Sequence, residues 1–287
     1  MSAKSLQYFQ PNLFKGKVAF VTGGGSGICK GMTEALMTHG ADAVIMGRRE
    51  NVIKQAAAEL SKTTGQQCLG VAGDVRKPED LKRAVQEAIA KFGRLDIVIA
   101  GAAGNFLSKL SGLSESAFAT VVAIDLLGTY NTIKATLPEI KKTKGSYIAV
   151  TATLHYRGTP LQGHVSAAKA GVDALFRVMS VELGPLGIRC NTIAPGPIAG
   201  TEGMSRLAPE GLRGTVESMT PLQRQGEIAE IGYATIFLSA PTGAYISGTT
   251  IVVDGGNWHT SSLGTDSGLY PELFKQDIEM RELLSKL

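Results

Sequence analysis

Cysteine is scarce in this 287-residue chain. The three present, Cys29, Cys68 and Cys190, are odd in number and form no Cys-x-x-Cys pair near paired histidines, which argues against a disulfide framework or a metal centre. They read as reduced, mostly buried thiols. No apolar run approaches the ~18 residues of a membrane span, and the N-terminus lacks the charged-then-apolar order of a secretory signal. An excess of one charge is also lacking: 29 Lys and Arg against 25 Asp and Glu give a net +4, spread along the chain. Nucleic-acid and membrane-surface binding therefore gain no support, while an anionic small substrate stays open. There is no internal repeat and no low-complexity tract.

What is plentiful is glycine, 35 residues in a chain that is 44% apolar, a composition suited to a buried parallel sheet with tight turns. Short apolar runs at 17–22, 43–46, 67–71, 95–100, 146–150, 189–193 and 249–253 alternate with helical stretches. The helical stretches fall near 27–39, 52–61, 79–92, 115–137 and 228–238, with a further long helix ending at about 183. This alternation predicts a single doubly wound α/β domain of the Rossmann type over 16–260, with a central parallel sheet of about seven strands flanked by helices. Residues 1–15 read as an irregular N-terminal arm, 199–223 as a substrate lid, and 261–287 as a tail outside the core.

The first strand runs into Gly23-Gly24-Gly25-Ser26-Gly27-Ile28-Cys29, and a helix follows. In that context glycines let backbone approach a pyrophosphate, whose charge meets amide hydrogens and the positive end of the helix dipole. Thr22, Gly23, Gly25, Ser26, Gly27 and Ile28 are the resulting candidate cofactor contacts. The second strand ends in Gly47-Arg48-Arg49 instead of the carboxylate that would bind the ribose of NAD. Arginine pairs with a 2'-phosphate, so NADPH is the expected cofactor, with Arg48 on the phosphate and Arg49 able to stack on adenine.

Residues 151–173 follow the fifth strand and open a small-residue helix carrying Lys169, with Asp173 one turn on and Val165 one turn before. A branched alkyl group cannot give a proton. Asp125 lies in another helix, where a carboxylate packed against a sheet is costly unless paired or protonated. Its two functional uses are pairing with Lys169 and holding a proton for a bound water. Two acids around one lysine would leave an excess of negative charge and push one acid towards its protonated form.

These motifs resemble the short-chain dehydrogenase/reductase family from about residue 15 to 260. The family's Thr-Gly-x-x-x-Gly-x-Gly signature starts at Thr22, with Cys29 in place of its last glycine. Asp74-Val75 stand where the family contacts adenine, and Ala100 and Gly101 where it usually has asparagines. Pro195-Gly196-Pro197-Ile198 stand where the family has its turn beneath the nicotinamide. In the family a tyrosine four residues before the lysine donates a proton, and a serine stands thirteen residues before the tyrosine. Here those positions are Val165 and Ala152. The loss disfavours ketone reduction, whose alkoxide needs a proton at oxygen, unless Tyr156 or a neighbour moves in. It suits conjugate reduction, in which charge spreads into a thioester enolate and the proton ends on carbon.

Within the family, the segment from Gly101 to Phe106, Asp125, His164 before an aliphatic residue, Lys169, Asp173 and the run from Pro195 to Arg206 are similar to the peroxisomal 2,4-dienoyl-CoA reductases, in their fungal form. The resemblance implies NADPH-dependent reduction of 2,4-dienoyl-CoA to 3-enoyl-CoA in β-oxidation of unsaturated fatty acids, by a homo-oligomer. It makes Asp125 and Asp173 an acid and water pair, Lys169 the cofactor anchor, and Arg76, Phe106 and Arg206 substrate contacts. His164 reads either as a donor to substrate or as a structural histidine. Two other readings stay open: a reductase of 2-enoyl or 3-oxoacyl thioesters, whose relatives keep the tyrosine, and a non-catalytic NADPH-binding scaffold, which has no use for the acids. The final Ser285-Lys286-Leu287 is the address read by the peroxisomal import receptor, so the peroxisome matrix is the expected location.

Overall fold

Successive residues of a strand face opposite sides of a sheet, and in this chain both sides are apolar, so the sheet must be covered twice. In the computed structural model, which describes residues 2–201 and 213–262, that is what the helices do. The strands are β1 (Val18–Thr22), β2 (Asp42–Gly47), β3 (Cys68–Ala72), β4 (Ile97–Ala100), β5 (Ser146–Val150), β6 (Arg189–Pro195) and β7 (Thr250–Val253). All pair in parallel, in the order β3-β2-β1-β4-β5-β6-β7. The expected seven-stranded sheet is present.

The chain opens with the single-turn α1 (Ser2–Ser5). Helices α2 (Gly27–Thr38) and α3 (Glu50–Thr64) cover one face of the sheet, over Ala19, Val21, Ile45, Ile99 and Ile148. The opposite face, with Phe20, Val44, Val98 and Tyr147, is covered by α4 (Pro78–Phe92), α6 (Gly128–Thr143) and α7 (Gly163–Leu183). Helix α5 (Glu115–Val122) leads into α6, and after the short α8 (Arg213–Ser218), helix α9 (Ile228–Ser239) returns to the first face. Strand order reverses beside β1, so β1 and β4 diverge at their C-terminal ends into the crevice where open α/β sheets bind ligands. Thr22 bridges that crevice: its Oγ1 accepts from the amides of Gly101 (3.2 Å) and Ala102 (3.4 Å).

Two expectations change. The helix expected over 115–137 is broken by a wide, π-type turn at Ala123–Leu127 that joins α5 to α6 and buries Asp125. The whole stretch from Glu115 to Thr143 is long and apolar enough to cross a membrane by length and composition. Here Ile124, Ile133 and Ile140 pack it into the core under the sheet. The N-terminal arm is also less irregular than expected. Phe14 is buried, and the ring of His39 is hydrogen-bonded to Ser5 Oγ at 3.0 Å and to the Gln10 carbonyl at 2.9 Å.

Helices α2 and α9 meet at Gly31, where an added Cβ would lie 2.1 Å from Ile228 Cγ2. Alanine normally favours a helix over glycine by ~1 kcal/mol. In this place we expect Gly31→Ala to destabilise the fold by about 1–3 kcal/mol through overpacking. Ile228→Ala in the same chain should relieve it, read as positive coupling in urea melts of the two single variants and the double variant.

Candidate active site

The crevice above β1 is shaped by its glycines. Gly23 has φ +76°, and a Cβ there would stand 2.8 Å from the Gly101 carbonyl oxygen. Gly27 opens α2 with φ +55° and nothing within 4 Å of the place a side chain would fill. Ser26 precedes it in extended conformation and makes no side-chain capping bond. The first amides of α2 thus face an open cradle beside Gly25 and Ile28, which fits the pyrophosphate of a dinucleotide.

Cys29, at the position of the missing glycine, has a compensating neighbour. A Cβ on Gly101 would fall 2.2 Å from Cys29 Sγ, and the thiol lies 3.5 Å from the Gly101 carbonyl as a weak donor. Larger at 29 is offset by smaller at 101. Burial pushes the Cys29 thiol up to about 12, so it packs as a neutral group.

Arg48 and Arg49 are exposed at the end of β2 and the start of α3. The charge of Arg48 reaches Asp74, whose carboxyl is held below the usual range chiefly by hydrogen bonds from the Arg76 side chain. Arg76 Nε donates to both oxygens of Asp74 at 3.0 Å, so this guanidinium folds back onto its own loop while staying partly exposed. Val75 is buried against Gly128, and its carbonyl accepts from Asn131 Nδ2 at 3.0 Å.

The reacting end is organised around Lys169. The π-type turn directs Asp125 inwards with no exposed surface, and its Oδ1 lies 3.0 Å from Lys169 Nζ, off the direction of a true hydrogen bond. Asp125 Oδ2 accepts from the Gly104 amide at 2.8 Å, which ties the loop after β4 to the turn. Lys169 Nζ also donates to the Val150 carbonyl at 2.9 Å. An ammonium has three donors, and among the described residues only the Val150 carbonyl takes one in a hydrogen bond, so two remain for a ligand. Val165, in the tyrosine's place, is buried and apolar.

Asp173 does not join the lysine in a three-charge cluster. One turn further along α7 it meets β6, where Thr192 Oγ1 bonds its Oδ1 at 3.0 Å and His155 Nε2 its Oδ2 at 2.8 Å. His155, in the loop after β5, has a place in the site that sequence reasoning did not assign. Its only signal was a histidine following the strand, and no periodicity links it to Asp173 eighteen residues on. His164 is buried with neither ring nitrogen in a hydrogen bond of normal geometry. Its ring lies 4.4 Å from that of Phe106, which is partly exposed. Burial lowers the pKa of His164; the Phe106 backbone and the charge of Asp125 work in the other direction.

Beneath this, the amide of Gly196 donates to the Val253 carbonyl at 2.9 Å, and a Cβ there would lie 2.4 Å from that of Asp254. The turn from Pro195 to Ile198 is therefore close-packed, with Ile198 buried. Among the described residues no group of acids, histidines or cysteines could hold a metal. Arg206 with the rest of 202–212 in the expected lid, and Ser285, Lys286 and Leu287, lie outside the described residues.

The family model described as enoyl-(acyl carrier protein) reductase matches residues 23–257. A short-chain dehydrogenase from Bacillus anthracis superimposes with a TM-score of 0.79 at 38% identity, covering 85% of this chain and 97% of that one. The chain belongs to the short-chain dehydrogenase/reductase family, and membership implies a nicotinamide cofactor. Among its relatives are the peroxisomal 2,4-dienoyl-CoA reductases of Saccharomyces cerevisiae, 51% identical over 92% of this chain and 91% of the relative, and of Danio rerio, 47% identical over 90% and 87%.

The Lys169–Asp125 pair gives a stability prediction. Lys169→Met should leave Asp125 buried without its counter-charge and cost about 3–5 kcal/mol in urea unfolding. Adding Asp125→Asn should recover much of that loss; equal instability of the single and double variants would show that the pair is not the cause.

Proposed function

We propose that this protein reduces 2,4-dienoyl-CoA thioesters to 3-enoyl-CoA thioesters with NADPH, in the peroxisome, as a step in β-oxidation of unsaturated fatty acids. The observation that carries the reading is the ion pair of Lys169 with Asp125 beside an apolar Val165. Such a site anchors a cofactor yet has no phenol one turn before the lysine to protonate an alkoxide. The dienoyl-CoA reductases among its relatives support the same substrate class.

Bound NADPH supplies a hydride to the far end of the polarised diene. Lys169 offers a remaining donor to the nicotinamide ribose, and Asp125 and the Val150 carbonyl fix its direction. The turn of Pro195, Gly196 and Ile198 presents backbone groups to the carboxamide, and Gly101 keeps the neighbouring backbone close to the ring. Thr22, Gly23, Gly25, Ser26, Gly27 and Ile28 hold the pyrophosphate, Asp74 and Val75 the adenine, and Arg48 the 2'-phosphate, with Arg49 on the adenine face. Asp125 and Asp173 place the acid and water needed for protonation at carbon.

His164, neutral through burial, has an N–H for the thioester oxygen as charge develops there, with Phe106 over the acyl chain. Arg76 and Arg206 offer charge to the anionic coenzyme A. Assembly as a homo-oligomer and import through Ser285, Lys286 and Leu287 belong to the same reading.

The test follows NADPH absorbance as the protein meets 2,4-hexadienoyl-CoA, with the product's double bond located by NMR. Oxidation to a 3-enoyl product is expected. Tight NADPH binding without turnover would point to a scaffold, and faster turnover of crotonyl-CoA or acetoacetyl-CoA to another reductase. Arg48→Ala should raise KM for NADPH by about tenfold, the loss of one charge-assisted contact, and leave NADH unaffected. His164→Leu should separate stability from function. Removing an unsatisfied buried imidazole should raise Tm, while turnover falls through loss of the donor.

A further inference from the structure

Asp173 is almost fully buried; its oxygens are engaged by Thr192 on β6 and by His155 from the loop after β5, and the Tyr156 phenol also reaches it. That loop is clamped in place. The Tyr156 ring meets His155 edge-on with centroids 4.6 Å apart, and rests in turn on Trp258 at 5.4 Å. Arg157 NH1 donates to the Asn257 carbonyl at 3.2 Å, and its NH2 to Asn257 Oδ1 at 3.3 Å. The segment after β7 thus fixes the histidine on the acid.

The other ring nitrogen, Nδ1, is buried and has no hydrogen-bond partner among the described residues, while the side chain as a whole stays 14% exposed and so keeps an edge at solvent. An imidazole held through one nitrogen by a buried carboxylate, with its second nitrogen unengaged, is the arrangement of a proton carrier. Asp125 differs in its surroundings: it faces the Lys169 ammonium as an ion pair and accepts from the Gly104 amide, with no imidazole beside it.

We infer that His155 and Asp173 form one proton-holding unit that supplies the proton added to carbon, with His155 as the group through which it is replenished from solvent. This rests on the reductase reading. The balance is simple: the hydride with its electron pair forms a C–H bond at the far end of the diene, and the displaced π electrons pass to the thioester oxygen. A proton leaves the histidine–aspartate unit and forms the C–H bond at the α-carbon as the enolate collapses. One NADPH and one solvent proton are consumed for each 3-enoyl product. His155 itself is restored by that solvent proton.

The experiment compares full-length wild type, His155→Gln and His155→Ala with NADPH and 2,4-hexadienoyl-CoA, and titrates NADPH binding by fluorescence. Glutamine keeps a donor on Asp173 and cannot carry a proton. Both variants should bind NADPH as wild type does and lose kcat by on the order of a hundredfold, the usual worth of general acid–base help. Added imidazole should restore His155→Ala and leave His155→Gln low. Wild-type turnover in His155→Gln, or a loss in His155→Ala that imidazole does not relieve, would overturn the relay and leave the reductase reading standing. A wild type unable to oxidise NADPH with the dienoyl thioester would overturn both.

Discussion

Lys169 and Asp125 bring opposite charges together where almost no water reaches them. Isolated, either charge would be too costly to bury; together, with the Gly104 amide and the Val150 carbonyl taking up further valences, they form a fixed polar centre. The surrounding elements then have their positions constrained. The π-type turn must open to direct Asp125 inwards, the loop after β4 must close over Gly104, and α7 must lie against the end of β5. One ion pair therefore ties three segments that are far apart in the chain to the mouth of the sheet.

The two faces of that sheet contribute unequally to the site. The face of α2, α3 and α9 carries the open cradle at the start of α2, built from glycine and small side chains whose value lies in what they leave open. The α5–α6 stretch and α7 supply the charged and titratable groups. A cofactor bridging the crevice would touch both sets. This division explains why the first set carries clear motifs while the second consists of single residues on helices.

The sheet was legible because each strand is a short apolar run bounded by glycine or a polar turn, a signal that survives any change of partner. The pairing of Asp125 with Lys169 was legible as one of two alternatives, since a carboxylate in a packed helix demands a counter-charge. The break at Ala123–Leu127 was not, because a π-type turn uses the same apolar residues as the helix it interrupts. Nor were the contacts of Asp173 or the docking of the N-terminal arm. Helical spacing places Asp173 on the face of Lys169 and says nothing of His155 or Thr192, and the arm is anchored by individual polar atoms of Ser5, Gln10 and His39. Arg76 was expected to face outwards, yet its proximity to Asp74 two residues away gives it a partner within its own turn.

The turn that buries Asp125 also sets the phase of everything after it. Each residue of an α-helix advances ~100° around the axis, and a π-type turn absorbs roughly one extra residue without advancing the axis accordingly. Helices α5 and α6 are thus one rod cut and rejoined out of step. The acid points to the site while Ile133 and Ile140, beyond the cut, still point to the core. Loss of a single residue from 123–127 would let the rod straighten, and either the carboxylate or the apolar stripe would then rotate out of place. The length of that segment is consequently as much a part of the chemistry as the residues within it.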